Sequence, residues 1–162
     1  MKRWIWILVL AAGCVPRPAP TPQEPTKTSL EGMAQGAENP TRAASMRIVE
    51  FGREELNQLR FERAANQFSK AIEIDASNPF AYFYLGLTRL QTKRLSQAAD
   101  FFGRAADLFV TFPEWKSEAL AYRGECLEKM NMLEAARKVY QRAIGVDSAN
   151  NRAHMGLTRI GG

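Results

Sequence analysis

From residue 45 onward, apolar residues recur at the spacing of helices that each bury one face. Ala64, Phe68 and Ala71 stand at i, i+4 and i+7, which places them on a single stripe of an α-helix. Similar stripes recur further along the chain and are separated by short polar segments such as Asp75 to Asn78. The pattern predicts helices over 45–59, 61–75, 79–92, 95–110, 116–130, 132–147 and 151–160.

These stripes repeat with a period close to 34 residues. Gly52 and Gly86 are 34 residues apart, whereas Gly86 and Gly124 are separated by 38 because the segment LFVTFPEWK adds four residues. Small, aromatic and large apolar residues fall into matching columns in all three units. These columns are Phe61, Leu95 and Leu133; Ala64, Ala98 and Ala136; Phe68, Phe102 and Tyr140; and Ala71, Ala105 and Ala143.

The series resembles the tetratricopeptide repeat family, whose unit is two antiparallel helices with a glycine in the first and an alanine, aromatic, alanine series in the second. The resemblance extends over residues 45–160 and implies an all-α solenoid of three helical hairpins. The hairpins correspond to 45–78, 79–116 and 117–150, followed by a short capping helix at 151–160.

The four-residue insertion is crowded with large apolar side chains between Phe109 and Trp115. One interpretation is that Phe109, Val110, Phe112 and Trp115 prolong the helix and pack on the neighbouring hairpin. The other is that they form an exposed apolar knob that contacts a partner.

The first 13 residues have the order of a bacterial export signal. Lys2 and Arg3 precede an apolar run of nine residues, which is too short to cross a bilayer as a helix. The sequence from Ala11 to Cys14 resembles a lipoprotein cleavage box, although Ala11 stands where the family usually has leucine. The resemblance implies lipidation of Cys14. With Val15 next to it, we expect an outer-membrane anchor that faces the periplasm.

Residues 14–44 are expected to form a disordered tether. Six of the eight prolines lie before residue 45, and large apolar residues are almost absent from this stretch. In a polyproline conformation it would reach roughly 90 Å from the lipid.

Composition and charge argue against nucleic-acid binding and catalysis. The net charge of +5 comes from basic residues scattered among acidic ones, as on a solvated helix face. No metal-ligand spacing, phosphate loop or nucleophile motif occurs, so we expect no cofactor, metal or small-molecule substrate. Cys126 and His154 are the one conceivable catalytic pair, but Cys126 stands where the repeat requires a small packed residue.

In this family, partners usually lie in a groove lined by the first helix of each hairpin. The matching positions predict an apolar centre and an acidic end, which would suit a peptide with large apolar side chains beside a basic residue. The alternative is that Phe83 and Leu87 belong mostly to the core. The candidate residues are Met46, Val49, Arg53, Asn57, Phe80, Phe83, Tyr84, Leu87, Gln91, Glu118, Tyr122 and Glu125.

The expected function is that of a membrane-anchored module that binds an envelope protein or peptide and helps to assemble or localise a complex. In this role the chain resembles the small lipoproteins that pilot secretins. Two alternatives stay open: a regulatory subunit that activates a cell-wall enzyme, and a structural subunit of a motility or transport machine.

Overall fold

The computed structural model describes residues 39–161, which form an all-α tetratricopeptide-like solenoid, as the sequence predicted. Hairpin 1 contains α1 and α2, hairpin 2 contains α3 and α4, hairpin 3 contains α5 and α6, and α7 closes the stack. The helices are α1 (Pro40–Asn57), α2 (Phe61–Ile74), α3 (Pro79–Gln91), α4 (Leu95–Leu108), α5 (Pro113–Lys129), α6 (Leu133–Val146) and α7 (Asn151–Gly161).

Helix α1 begins five residues earlier than the sequence pattern predicted. Pro40 lies in the expected tether, but it is the first helical residue, and the Asn39 side chain accepts a hydrogen bond of 2.9 Å from the backbone of Thr41. Proline suits this position because its missing N–H would have no partner in the first turn. Residues 40–44 are therefore helical.

The turn inside each hairpin has the same backbone conformation. Leu59, Lys93 and Asn131 have φ values of 59°, 59° and 61°, in the left-handed region. In the first turn, Arg60 donates its backbone N–H to Glu55 and Leu59 donates to Leu56, the two bonds of a Schellman motif. Leu59 and Lys93 therefore adopt a left-handed conformation that glycine or asparagine would adopt with less strain.

Within each hairpin, a glycine of the first helix lies against an aromatic ring of the second. A Cβ atom added to Gly52 would come within 2.4 Å of the Phe68 ring. Tyr140 is enclosed on two sides, because Cβ atoms added to Gly124 and Gly156 would lie 2.6 Å and 2.3 Å from its ring. These glycines therefore let a ring approach the helix backbone closely, and Gly156 in this way fixes α7 against hairpin 3.

Hairpins 1 and 2 are joined by a buried polar pair. The Asn78 side chain donates to the Ser45 hydroxyl (2.8 Å), which donates in turn to the carbonyl of Ala71 (2.7 Å). The Asn78 side-chain oxygen also accepts from the backbone N–H of Phe80 and caps α3. The same clamp recurs between hairpin 3 and α7, where Asn150 donates to Ser117 (2.9 Å).

Hairpins 2 and 3 are joined by aromatic rings instead. One repeat after Ser45 stands Pro79, and one repeat after Asn78 stands Phe112. The ring of Phe80 contacts Phe112 and Trp115, with centroids 6.0 Å and 5.1 Å apart. The first helices of neighbouring hairpins lie further apart here, at α3 and α5, than at α1 and α3 or at α5 and α7. Instead, α4 packs extensively along α5.

The insertion mainly packs inward, in agreement with the first of the two interpretations. Phe109 and Trp115 are buried, whereas Val110 is 80% exposed. The insertion does not prolong α4, which ends at Leu108. It forms a short loop and an additional first turn of α5. Among the described residues, no helix is long and apolar enough to cross a membrane.

Candidate protein-binding face

Most of the apolar residues predicted to line the groove belong to the core. Met46, Val49, Phe80, Phe83, Tyr84, Leu87 and Tyr122 are each at most 3% exposed. The rings of Phe80 and Phe83 are packed against Phe109 and Trp115, which come from the insertion. These residues therefore lie in the core, which agrees with the alternative for Phe83 and Leu87, while the groove itself stays a prediction.

The acidic end of the predicted groove is occupied by an arginine of the same chain. Arg152, near the start of α7, lies 3.0 Å from Glu118 and 3.0 Å from Glu125. Its guanidinium donates to the Tyr122 hydroxyl (2.8 Å) and lies 3.8 Å from the centre of that ring. Burial alone would lower the pKa of Arg152, but Tyr122 and the two carboxylates hold it above its usual value. The expected preference for a basic ligand residue therefore loses its structural basis.

A second set of ion pairs fixes the C-terminal half of α7. Arg159 donates to both oxygens of Glu128, at 2.8 Å and 2.9 Å, and the Tyr140 hydroxyl donates to the same carboxylate. The hydrogen bonds from Arg159 hold the pKa of Glu128 below its usual value, against the opposite effect of partial burial. Desolvation, followed by the bond to Glu128, raises the pKa of Tyr140. Helix α7 is thus a firmly docked cap.

At the other end of the stack, Arg53 is half-buried beside Glu50. Its guanidinium donates to both carboxylate oxygens of Glu50, at 3.2 Å and 2.9 Å. The same guanidinium lies 5.1 Å from the centre of the Tyr84 ring in the next hairpin. Arg53 therefore ties α1 to α3 and presents only part of its side chain to solvent.

Three polar side chains at one repeat position remain on the surface. Asn57, Gln91 and Lys129 each stand five residues after the glycine of their first helix, and all three are exposed. Lys129 lies 3.4 Å from Glu125, and half of its side chain is accessible. Of the twelve predicted groove residues, Asn57 and Gln91 are the two that lie fully on the surface, while Arg53, Glu118 and Glu125 are half-buried.

The cysteine and histidine do not form an accessible catalytic pair. Cys126 is completely buried, and desolvation together with nearby Glu125 raises the pKa of its thiol to about 12. Cysteine reactivity requires the thiolate, so this thiol is inert at neutral pH. His154 is exposed, and its ring nitrogen lies 2.9 Å from the carbonyl of Ser148. Within residues 39–161, no group of histidine, cysteine and acidic side chains could hold a metal ion.

Comparison with known proteins identifies the repeat. One tetratricopeptide-repeat family model matches residues 49–109 and a second matches residues 117–150. No curated protein matches the chain.

Solved structures show the same architecture. The N-terminal domain of stress-induced protein-1 from C. elegans is 20% identical with a TM-score of 0.70, over 77% of this chain and 100% of that one. The second tetratricopeptide-repeat domain of human RPAP3, in complex with the HSP70 peptide SGPTIEEVD, is 20% identical with a TM-score of 0.67. The match covers 76% of this chain and 98% of that one. YrrB, a repeat protein with an unusual peptide-binding site, is 20% identical with a TM-score of 0.63, over 82% and 66%. At these identities the likeness shows the fold alone.

Proposed function

The chain is a tetratricopeptide-repeat protein, and from this premise we propose that it is a membrane-anchored interaction module that binds an envelope protein or peptide. In this role it helps to assemble or localise a multi-protein complex, as pilot lipoproteins do for secretins. The fold supports a binding function because a stack of hairpins offers an extended surface rather than an enclosed reaction site.

The observation that carries the proposal is the exposed row of Asn57, Gln91 and Lys129. An amide side chain has both donors and an acceptor, so it can hydrogen-bond to the backbone of an extended peptide whatever its sequence. Packed helices lie about 8–10 Å apart, and a strand advances about 3.3 Å per residue. Asn57 and Gln91 would therefore contact an extended peptide at intervals of about three residues.

The burial pattern also shapes the expected ligand. Because the rings of Phe80 and Phe83 are covered, recognition relies on polar contacts and not on large apolar anchors. The human RPAP3 neighbour binds an HSP70 peptide with an acidic end. Some members of the repeat family hold a chaperone's C-terminal carboxylate with a lysine and asparagine set, in whose place this chain has Val49, which is fully buried, and Arg53. A peptide of that type is therefore not the ligand we propose.

The proposed anchor rests on residues 1–14, which lie outside the described residues, as do residues 15–38 of the proposed tether. Its support is the order of Lys2 and Arg3, an apolar run, small residues and Cys14. Two or more acyl chains on one cysteine hold a protein to a bilayer stably, whereas one does so only reversibly. The proposed address is the outer membrane, with the repeats in the periplasm.

The binding row is tested by capture of partners from detergent extracts of the native host with the full-length protein as bait. The doubly substituted Asn57→Ala, Gln91→Ala protein should lose its captured partner. A control with Asn66→Ala and Gln97→Ala, which removes the same two functional groups from exposed positions on second helices, should keep it. Equal capture by both proteins, each folded by circular dichroism, would refute the row as the binding site.

The identity of the captured protein distinguishes between the possible functions. A secretin supports a pilot role, a cell-wall synthase supports a regulatory subunit, and a stable multi-protein machine supports a structural subunit. The anchor is tested separately by fatty-acid labelling of the Cys14→Ala protein. Labelling that persists in this variant would contradict lipidation at Cys14.

A further inference from the structure

We infer that the chain forms a symmetric homodimer through the outer face of α1, centred on Phe51 and flanked by Arg47 and Glu54. This inference is independent of the binding row and of the lipid anchor. It rests on three observations: the repeat position of these residues, the exposure of Phe51, and the arrangement of the two charges.

The repeat position shows that this face is a helix-packing face. One unit later, the residues equivalent to Arg47, Phe51 and Glu54 are all buried in α3, a helix that packs on hairpin 1. In α7, which packs on hairpin 3, the equivalent residues are buried or half-buried. The equivalents are Ala81 (0% exposed), Leu85 (3%) and Thr88 (0%) in α3, and Ala153, Leu157 and Ile160 in α7.

Phe51 is unusual among the aromatic residues of the described chain. Its side chain is 63% exposed, whereas every other phenylalanine, tyrosine and tryptophan between residues 39 and 161 is buried or half-buried. The end of a repeat stack normally presents a polar outer face, because no further repeat covers it. Arg47 and Glu54 follow that rule and Phe51 does not, which marks this position as an apolar contact.

The charges make the face complementary to itself. Arg47 lies four residues before Phe51 and Glu54 three residues after it, so all three share one side of α1. If two copies of α1 cross antiparallel about a two-fold axis at Phe51, Arg47 of each copy faces Glu54 of the other. Along the helix axis, Arg47 lies about 6 Å and Glu54 about 4.5 Å from Phe51. The difference between these two distances is smaller than the length of an arginine side chain, so the two charges can meet. Such an isologous contact closes on itself and stops at two copies.

Sedimentation equilibrium of the full-length protein in a density-matched non-ionic detergent tests the inference. We expect the wild-type protein to show a monomer–dimer equilibrium and Phe51→Asp to be monomeric. Arg47→Glu and Glu54→Arg should each weaken homodimerisation at least about tenfold, because each variant opposes like charges at both ends of the contact. Arg63→Glu, at an exposed position on α2, serves as the charge-reversal control and should dimerise like the wild type.

Mixing the two charge variants gives the sharpest result. In a heterodimer of Arg47→Glu with Glu54→Arg, both contacts again pair opposite charges, so association should return to the wild-type level. A wild-type protein that is monomeric at every concentration would overturn the inference. Failure of the mixed variants to associate, while both are folded, would overturn the proposed geometry. If residues 1–38 of the same chain covered Phe51, association would be absent and independent of concentration, which would also contradict a dimer.

Discussion

The two sides of hairpin 2 are joined to their neighbours by different chemistry. Towards hairpin 1, the contact is centred on Asn78 and Ser45, with two hydrogen bonds and one helix cap. Towards hairpin 3, Phe109, Phe112 and Trp115 pack around Phe80. The polar clamp lets the first helices of adjacent hairpins approach closely, while the rings keep α3 and α5 apart and bring α4 and α5 together.

The two junctions differ in what they contribute, because hydrogen bonds mainly fix the relative position of helices and aromatic packing mainly stabilises the fold. A buried hydrogen bond adds only about 0.5–1.5 kcal/mol in net terms, but it fixes the relative position of two helices because unpaired partners are costly. Aromatic rings remove 150–250 Å² each from water and tolerate several packing angles. We therefore expect the aromatic junction to dominate the stability of the stack and the polar clamps to set its geometry.

The largest predicted effect follows from removal of the ring at the centre of the aromatic junction. Phe83 has five aromatic neighbours, with ring centroids between 5.3 Å and 6.3 Å away. Phe83→Ala should lower the free energy of unfolding by about 3–5 kcal/mol in urea denaturation. Val110→Ala, in the exposed part of the same insertion, should change it by less than about 0.5 kcal/mol. A loss below about 1 kcal/mol for Phe83→Ala would contradict the dominance of this junction.

Removal of a clamp should have a smaller effect, similar at its two occurrences. Asn78→Ala leaves the Ser45 hydroxyl without its donor and uncaps α3, so the free energy of unfolding should fall by about 1–3 kcal/mol. Asn150→Ala should cost a comparable amount. In a double-mutant cycle, Ser45→Ala combined with Asn78→Ala should cost less than the sum of the single changes. Additive costs would show that the two side chains do not act as one unit.

The turns within the hairpins provide an internal reference, because all three have the same conformation whichever junction follows. Leu59→Gly relieves a left-handed leucine and should raise the free energy of unfolding by about 0.5–1 kcal/mol, measured by thermal or urea denaturation. Asn131→Gly should raise the free energy of unfolding by a smaller amount, since asparagine tolerates the left-handed region of φ. Gln58→Gly, at a neighbouring position with φ of −83°, is the control and should be destabilising.

Acid should slightly weaken the ion pair by which Arg42 of α1 holds Asp75, at the end of α2, and leave the aromatic junction unchanged. Burial alone would raise the pKa of Asp75, but hydrogen bonds from Ser77 and Arg42 hold it below its usual value. Its contribution is therefore complete above the unfolded pKa of about 4 and is lost as the pH falls through the lower folded value. Hydrogen exchange, corrected for intrinsic rates, should show α1 opening more at pH 3 relative to pH 6 than α4 does. Asp75→Asn should abolish the difference.

Much of the fold could be predicted because the same pattern of small, aromatic and apolar residues occurs in three successive repeats. The small and aromatic columns predicted the three hairpins, and the apolar stripes predicted the helices to within a few residues. The early start of α1 was missed because Pro40 resembled the preceding proline-rich stretch. The same Asn-Pro pair at Asn78 and Pro79 starts α3, so the signal was present in the sequence.

The binding face was harder to predict because it depends on contacts between distant residues. Phe80 and Phe83 occupy groove positions by repeat alignment, but residues about 30 positions later cover them. The acidic end was mispredicted for a similar reason, because the arginine that occupies it, Arg152, comes from α7, the helix after the hairpin of Glu118. Repeat arithmetic does place Arg152 one unit after Glu118, so this ion pair could have been anticipated.

The Ser45 and Asn78 clamp has a consequence for how this protein can change in length. In a tandem duplication of residues 45–78, the Asn78 of each copy would donate to the Ser45 of its own copy and cap the first helix of the next unit, so the added unit joins through bonds that the chain already uses. A duplication of residues 79–112 would set Phe112 against Pro79 without the extra turn that carries Trp115. A 34-residue copy is therefore compatible with the first hairpin, whereas the same length copied from the second would lack one ring of its junction.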